Sequence, residues 1–239
     1  MKNNSTAILV FTRSAGEEAE NKVFEPTAGH SGNVKIAEKL IAHTCKMARQ
    51  SKAEADVHII NSDRQRGDTF GERLANAFES LYQVGYQKVI AIGNDSPWVE
   101  GNLLRATVEN FKNRDAVLGP ASDGGAYLIG IDRDAFNRTA FINLAWNSDH
   151  LYQDLTNYLK TSHFTYTELP ELSDIDSVSD FRSFLQKKSP NYLLRQFIKD
   201  LQSIIAGFQI HQTFYYCYFF SLQQSKTIQL RAPPLTSAA

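Results

Sequence analysis

Cysteine is scarce in this chain: Cys45 and Cys217 are the only two among 239 residues. They lie far apart, with no CxxC or Cys/His ligand spacing, which argues against a disulfide framework and against a thiolate zinc site. The N-terminus has no charged-then-apolar signal pattern, so a reducing cytoplasm is the expected location. No apolar run approaches the roughly 20 residues needed to span a bilayer, and no membrane partner is expected. An excess of one charge is also missing. Twenty-five Lys+Arg against 26 Asp+Glu leave a formal charge of −1, so no global field draws the protein to nucleic acid. There is no internal repeat and no low-complexity linker.

What is present is a series of short apolar runs of strand length: Thr6–Phe11, Val57–Ile60, Val89–Ile92, Ala116–Gly119 and Ala126–Ile131. Between them, Ser31–Met47 sets Ile36, Leu40, Ile41, Thr44 and Met47 on one helical face. Thr69 and Glu72 have capping-box spacing ahead of the stripe Leu74, Phe78 and Leu81, in a helix closing near Gly85, and Leu103–Phe111 reads as a further helix. This alternation predicts an α/β fold with a largely parallel sheet covered on both sides. Ala15–Gly29, polar and rich in Glu, reads as a long loop broken by Pro26 and Gly29. Ala126–Ile131 follows its predecessor too closely for a helical crossover and is expected to be antiparallel or displaced.

Later, Trp146-Asn147-Ser148 precedes a helix to about Lys160. Phe164–Leu169 reads as a late strand, and Ser177 with Asp180 repeats the capping-box spacing. A helix opening at Ser189-Pro190 is expected to run through Ile205 and end at Gly207. Residues 1–188 form the expected main domain and 189–239 a C-terminal extension. In that extension Phe214–Phe220 is aromatic at six of seven positions, and with a strand at Thr227–Leu230 it reads as a strand pair. Such a pair would pack on the domain or across a homodimer interface.

The chemistry centres on Val89–Pro97. Here a buried strand ends in Gly93-Asn94-Asp95-Ser96-Pro97 and delivers Asp95 to a sheet edge. A carboxylate there needs a basic side chain, a helix N-terminus or a divalent metal carrying a nucleotide diphosphate. Asp123 and Asp176 also follow strand-like runs, and in open α/β sheets such ends gather at one edge. Asp95 with Asp176 is the preferred metal-holding pair. The plainer alternative is that Asp95 caps a helix near Val99 and Asp176 caps the one after it. Arg13, Lys22, Arg64, Arg66 and Arg73 offer positive charge for phosphates, Arg73 foremost. Gln65 could meet a nucleobase edge. Gly124-Gly125 presents backbone amides at a turn, or a simple hairpin-like link. His150 is left outside the metal set.

An ordered series of motifs carries a resemblance. It runs Gln65-x-Gly67-Asp68-x-x-Gly71-Glu72-Arg73-Leu74, Ile92-Gly93-Asn94-Asp95-Ser96-Pro97, Gly119-Pro120-Ala121-x-Asp123-Gly124-Gly125-x-Tyr127, Trp146-x-Ser148 and Asp174-Ile175-Asp176-Ser177. Spanning roughly residues 6–187, it resembles the bacterial radical-SAM/selenodomain-associated glycosyltransferase family of the nucleotide-diphospho-sugar transferase (GT-A-like) superfamily. Molybdenum-cofactor and phospholactate guanylyltransferases look like more distant relatives. The resemblance implies a three-layer α/β/α Rossmann-like GT-A fold with a mostly parallel mixed sheet; the helical and aromatic C-terminal extension, from about residue 190 onward, lies outside the match.

The same resemblance implies a transferase using a nucleotide sugar or nucleoside triphosphate, with an unknown small-molecule acceptor and Mg²⁺ or Mn²⁺. Either glycosyl or nucleotidyl transfer fits. Asp95 and Asp176 match the metal ligands and Asp123 the acceptor or sugar site, so Asp95 and Asp123 are the expected catalytic residues. Arg13, Lys22, Gln65, Gly71, Arg73, Gly124 and Gly125 are the expected nucleotide-binding set. Two departures stand out: Arg13–Phe24 replaces a Lys-x-Pro-x-x-Gly-x-x-Lys-Thr-Arg-Leu-like loop, and Ala126 stands where an aromatic is usual. The altered Arg13–Phe24 segment motivates the alternative of a catalytically weakened nucleotide-binding or scaffold protein of the same fold.

Overall fold

The computed structural model describes residues 5–208 apart from Ala53. Six strands form one mixed sheet: β1 Thr6–Phe11, β2 Asp56–Ile60, β3 Lys88–Ile92, β4 Ala116–Pro120, β5 Ala126–Asp132 and β6 Tyr166–Glu168. Their order is β2-β1-β3-β5-β4-β6. β1 runs parallel to β2 and β3, and β4 parallel to β6, while β5 is inserted antiparallel between β3 and β4. The close spacing of β4 and β5 thus resolves as antiparallel pairing.

Helices α1 Ala15–Asn21, α2 Gly29–Arg49, α3 Phe70–Gln83, α4 Gly101–Phe111, α5 Arg138–Ile142, α6 Leu151–Thr161 and α7 Val178–Gln186 follow in chain order. An eighth, α8, spans 192–208. The period-two pattern of the strands explains the layering. Ala7, Leu9 and Phe11 pack with α3, α5 and α6 on one face of the sheet, while Ile8 and Val10 pack with α2 and α4 on the other. Both faces are covered, so β1 is buried along its whole length and reads as a continuous apolar run.

Several expectations are corrected. Ala15–Gly29 is not a loop. Ser14 Oγ accepts from the Glu17 amide and the Glu17 carboxylate accepts from the Ser14 amide, so this capping box opens α1; a 3-10 turn at Pro26–Ala28 then leads directly into α2. Gly29 begins a helix rather than breaking one. The helix near Val99 is α4, which starts at Gly101 with Glu100 as its N-cap, so Asp95 does not cap it. Ser177, not Asp176, is the N-cap of α7. The late strand is confined to Tyr166–Glu168. Gly207 lies inside α8. The aromatic segment Phe214–Phe220 and the strand at Thr227–Leu230 lie outside the described residues.

A third core joins α8 to the main sheet domain. Leu194, Phe197, Ile198, Leu201 and Ile205 pack on Ile36, Ala37 and Leu40 of α2 and on Phe181 and Phe184 of α7. His43 is buried in this seam, stacked on Phe197 with ring centroids 4.0 Å apart. Its Nε2 lies 3.2 Å from the Pro97 carbonyl, an acceptor only, so Nε2 carries the proton. Burial pushes this imidazole down to about 4 from an ordinary 6.5. The unfolded chain therefore takes up a proton between pH 6.5 and 4 that the folded chain refuses. Stability should fall through that window by a total on the order of 3 kcal/mol and then level off. Urea titrations at several pH values should show this slope in the wild type and its loss in His43→Phe.

Candidate functional site

The strands that matter end together. β1, β3 and β4 point the same way, so Thr12-Arg13, Gly93-Asn94-Asp95 and the turn Ala121–Gly125 emerge at one sheet edge. The chain beyond β6 is then led across that edge by its backbone. Leu169 donates to Leu118 O at 2.8 Å, Leu172 to Pro120 O at 3.1 Å, and Ile175 to Asp95 O at 2.8 Å. These bonds carry Asp174 and Asp176 over the end of β3. The result is a cleft of about 550 Å³ whose lining includes Arg13, Gln65, Arg73, Asp95, Asp123, Asp174, Asp176 and Trp146.

Carboxylates dominate this cleft. Single ligand atoms of Asp123, Asp174 and Asp176 lie within 4.8 Å of one another. Asp174 Oδ1 is buried without a hydrogen-bond partner. Burial, reinforced by Asp95, Asp176 and Asp123, raises the Asp174 carboxyl to about 7. Glu18 of α1 also turns inward, with its side chain only 2% exposed and Oε2 lying 3.3 Å from Arg13. Burial and the negative charge of Asp95 push its carboxyl up as well. An all-oxygen donor set of this kind, with an unsatisfied buried oxygen, fits a hard divalent cation such as Mg²⁺ or Mn²⁺.

Lys22, at the C-cap of α1, reaches into the middle of this charge. Its ammonium donates to Asp95 Oδ1 at 2.6 Å, to the Ile175 carbonyl at 2.6 Å and to Asp176 Oδ1 at 3.1 Å. Burial alone would lower this amine, but Asp95 and Asp176 more than reverse that and hold it above the usual lysine range. The structure thus places an ammonium between the two acids expected to share a metal.

Other expected site residues are also tied up. Gln65 Nε2 donates to the Thr12 carbonyl at 2.9 Å, and Arg73 to the Asp68 carbonyl at 3.2 Å, though both side chains border the cleft. The Gly124 and Gly125 amides are not free for phosphate, because they donate to Ala121 O at 3.1 Å and to Asp123 Oδ1 at 2.8 Å. Gly71 is buried and serves the cleft wall: a Cβ there would lie 2.5 Å from Nε1 of Trp146. Arg64 and Arg66 bond backbone carbonyls of their own strand end and turn. At the floor, Asn94 accepts from Thr12 Oγ1 at 2.6 Å, while its buried Nδ2 has no partner.

Asp174, Glu18 and Asn94 were absent from the expected set. Asp174-x-Asp176 is visible as a doublet in the chain, but what makes Asp174 distinctive is its burial. The spacing Ser14-x-x-Glu17 could have announced α1 and, with it, the inward position of Glu18.

The sequence profile of one family, described as an uncharacterized protein conserved in bacteria (DUF2064), matches residues 28–148. No curated protein matches the chain. Among solved structures, the chain is similar to a candidate nucleotide-diphospho-sugar transferase from Desulfovibrio desulfuricans G20. The identity is 21%, the match covers 86% of this chain and 98% of that one, and the TM-score is 0.74. More remote likenesses include Rv0371c from Mycobacterium tuberculosis H37Rv, at 15% identity, 79% and 100% coverage and a TM-score of 0.46. A CMP:2-keto-3-deoxy-manno-octonic acid synthetase solved with CTP follows at 11% identity, 76% and 96% coverage and 0.45. The chain has the Rossmann-like fold of the first of these proteins. No helix among the described residues is long and apolar enough to cross a membrane.

Proposed function

The chain belongs to the bacterial DUF2064 family, and from the geometry of its acid-lined cleft we propose that it is a metal-dependent transferase acting on a nucleotide-activated substrate in the cytoplasm. The observation that carries this reading is the group Asp123, Asp174 and Asp176, gathered around one point beside an unsatisfied buried oxygen. Six carboxylates line the cleft when Glu18, Asp95 and Asp149 are included, so added positive charge favours entry of a diphosphate. A divalent cation would neutralise charge that develops on phosphate during transfer.

In this reading Asp123, Asp174 and Asp176 hold the ion, with Asp95 alongside. Arg13 and Arg73 meet phosphate oxygens from the rim, and the free Nδ2 of Asn94 donates to an oxyanion at the floor. Gln65 borders the nucleoside. The finer kinship with radical-SAM/selenodomain-associated glycosyltransferases belongs to the same proposal, as does the choice of a nucleotide sugar or a nucleoside triphosphate as donor.

Thermal-shift measurements with Mn²⁺ and a panel of nucleotide sugars and nucleoside triphosphates test it. A ligand at a hundred times its Kd adds about 2.7 kcal/mol of stability, enough to move Tm by several degrees. Asp123→Asn should abolish most of that shift while keeping the turn, because its Oδ1 can still accept from the Gly125 amide. No shift with any nucleotide in the wild type would reject the proposal. Product analysis with the winning ligand then separates released nucleoside diphosphate from released pyrophosphate. Binding with neither product would favour a nucleotide-binding protein of weakened catalysis, a reading to which the inward Glu18 and the fully engaged Lys22 give weight.

A further inference from the structure

All three protons of the Lys22 ammonium are committed. They go to Asp95 Oδ1, to the carbonyl of Ile175 and to Asp176 Oδ1, and none is left for a ligand. A fourth oxygen, Glu18 Oε1, stands 3.9 Å away, buried and without a hydrogen bond of its own. The Lys22 side chain is only 13% exposed. This is the coordination a small cation would seek: several oxygens, mostly anionic, converging on one shielded point. The acids on either side come from elements far apart in the chain, and without a positive charge between them they would repel.

Asp176 belongs to both arrangements. It accepts from Lys22 and it is one of the three acids gathered with Asp123 and Asp174. Asp176 has a second oxygen to offer an ion, but an ion held there would stand close to the ammonium, and the two cations would repel across the shared carboxylate.

We propose that Lys22 is a built-in counter-ion for the acid cluster, which a divalent cation displaces when it enters, releasing the ammonium towards the substrate phosphates. The inference rests on the metal reading above and adds to it a defined competition between one side chain and the ion. While seated, Lys22 keeps the acids together in the ion-free protein. Once displaced, it regains its donors and can meet phosphate oxygens that arrive with the ion. Ion and substrate phosphates would thus favour the same displaced position of the side chain, which couples their binding.

Two measurements test this on the whole chain. The first is Mn²⁺ binding by calorimetry to the wild type and to Lys22→Met. Removing the competitor should tighten Mn²⁺ binding about tenfold, whereas equal or weaker binding by the variant overturns the inference. The second needs no variant and stands if Lys22→Met does not fold. Lys22 in the wild type should be shielded from acetylation by an N-hydroxysuccinimide ester, and saturating Mn²⁺ should raise its labelling several-fold, read by mass spectrometry of the Lys22 peptide. Unchanged labelling in Mn²⁺-bound protein overturns the inference. Failure of the underlying reading looks different: neither the wild type nor the variant would bind Mn²⁺ at all, and the inference would fall with it.

Discussion

Replacing Gly124 with alanine is expected to cost about 2–4 kcal/mol of stability and to weaken Mn²⁺ binding at least tenfold. The residue sits at φ +88°, where an L side chain is strained, and a Cβ there would lie 2.0 Å from the carbonyl oxygen of Asp149. That obstacle is backbone, so it cannot rotate away as the end of a side chain would. The turn has little slack. Ala121 N bonds Gly125 O at 3.0 Å, and Tyr152 N, at the start of α6, bonds Gly124 O at 3.0 Å. Relief must come from shifting the turn, and Asp123 shifts with it. Urea denaturation gives the stability change, and calorimetry gives the affinity. A folded Gly124→Ala protein with unchanged Mn²⁺ affinity would remove Asp123 from the ion-holding set.

The contrast between this turn and its neighbours shows what could be read from the chain. Thr69 with Glu72 and Ser177 with Asp180 were recognisable because each capping bond closes within three residues and precedes an apolar stripe. Ser14 with Glu17 has the same spacing, yet α1 buries Glu18 and Ala19 and so lacks the apolar periodicity that marks a helix. The gathering of Asp95, Asp123 and Asp176 at one edge followed from strand direction. The place of Lys22 did not, because its partners lie 73 and 154 residues away and no local pattern joins them. The burial of Asp174 is hidden for a similar reason: it comes from the path of residues 169–176 over β4 and β3, which nothing local predicts.

A second large effect is expected at Phe141, where alanine should cost about 3–5 kcal/mol. The ring is fully buried, and its centroid lies 5.4 Å from that of Phe78, 5.2 Å from Phe136 and 4.9 Å from Trp146. Removing it leaves a cavity behind the wall of the cleft. Trp146 keeps its bond from Nε1 to the Phe141 carbonyl at 2.8 Å, since that acceptor is backbone, but loses the surface against which it rests. For a chain of this size the loss corresponds to roughly 10 °C in Tm. Mn²⁺ affinity should stay close to that of the wild type, because α5 supplies none of the acids. Calorimetric melting together with the Mn²⁺ titration checks both halves. A stability loss under about 1 kcal/mol would mean that the aromatic layer closes over the gap.

The strand order has a practical bearing on how the chain can be shortened. The stretch matching the family profile, residues 28–148, leaves out β1 and everything from α6 onwards. Yet β1 is the strand that joins β2 to β3, and the part that follows brings Asp174 and Asp176. A protein trimmed to that stretch would present two unpaired strand edges where β1 had been, an invitation to aggregate. The segment by which the family is recognised is therefore smaller than the segment that can fold, and work on isolated fragments needs to begin ahead of Thr6 and continue past α7.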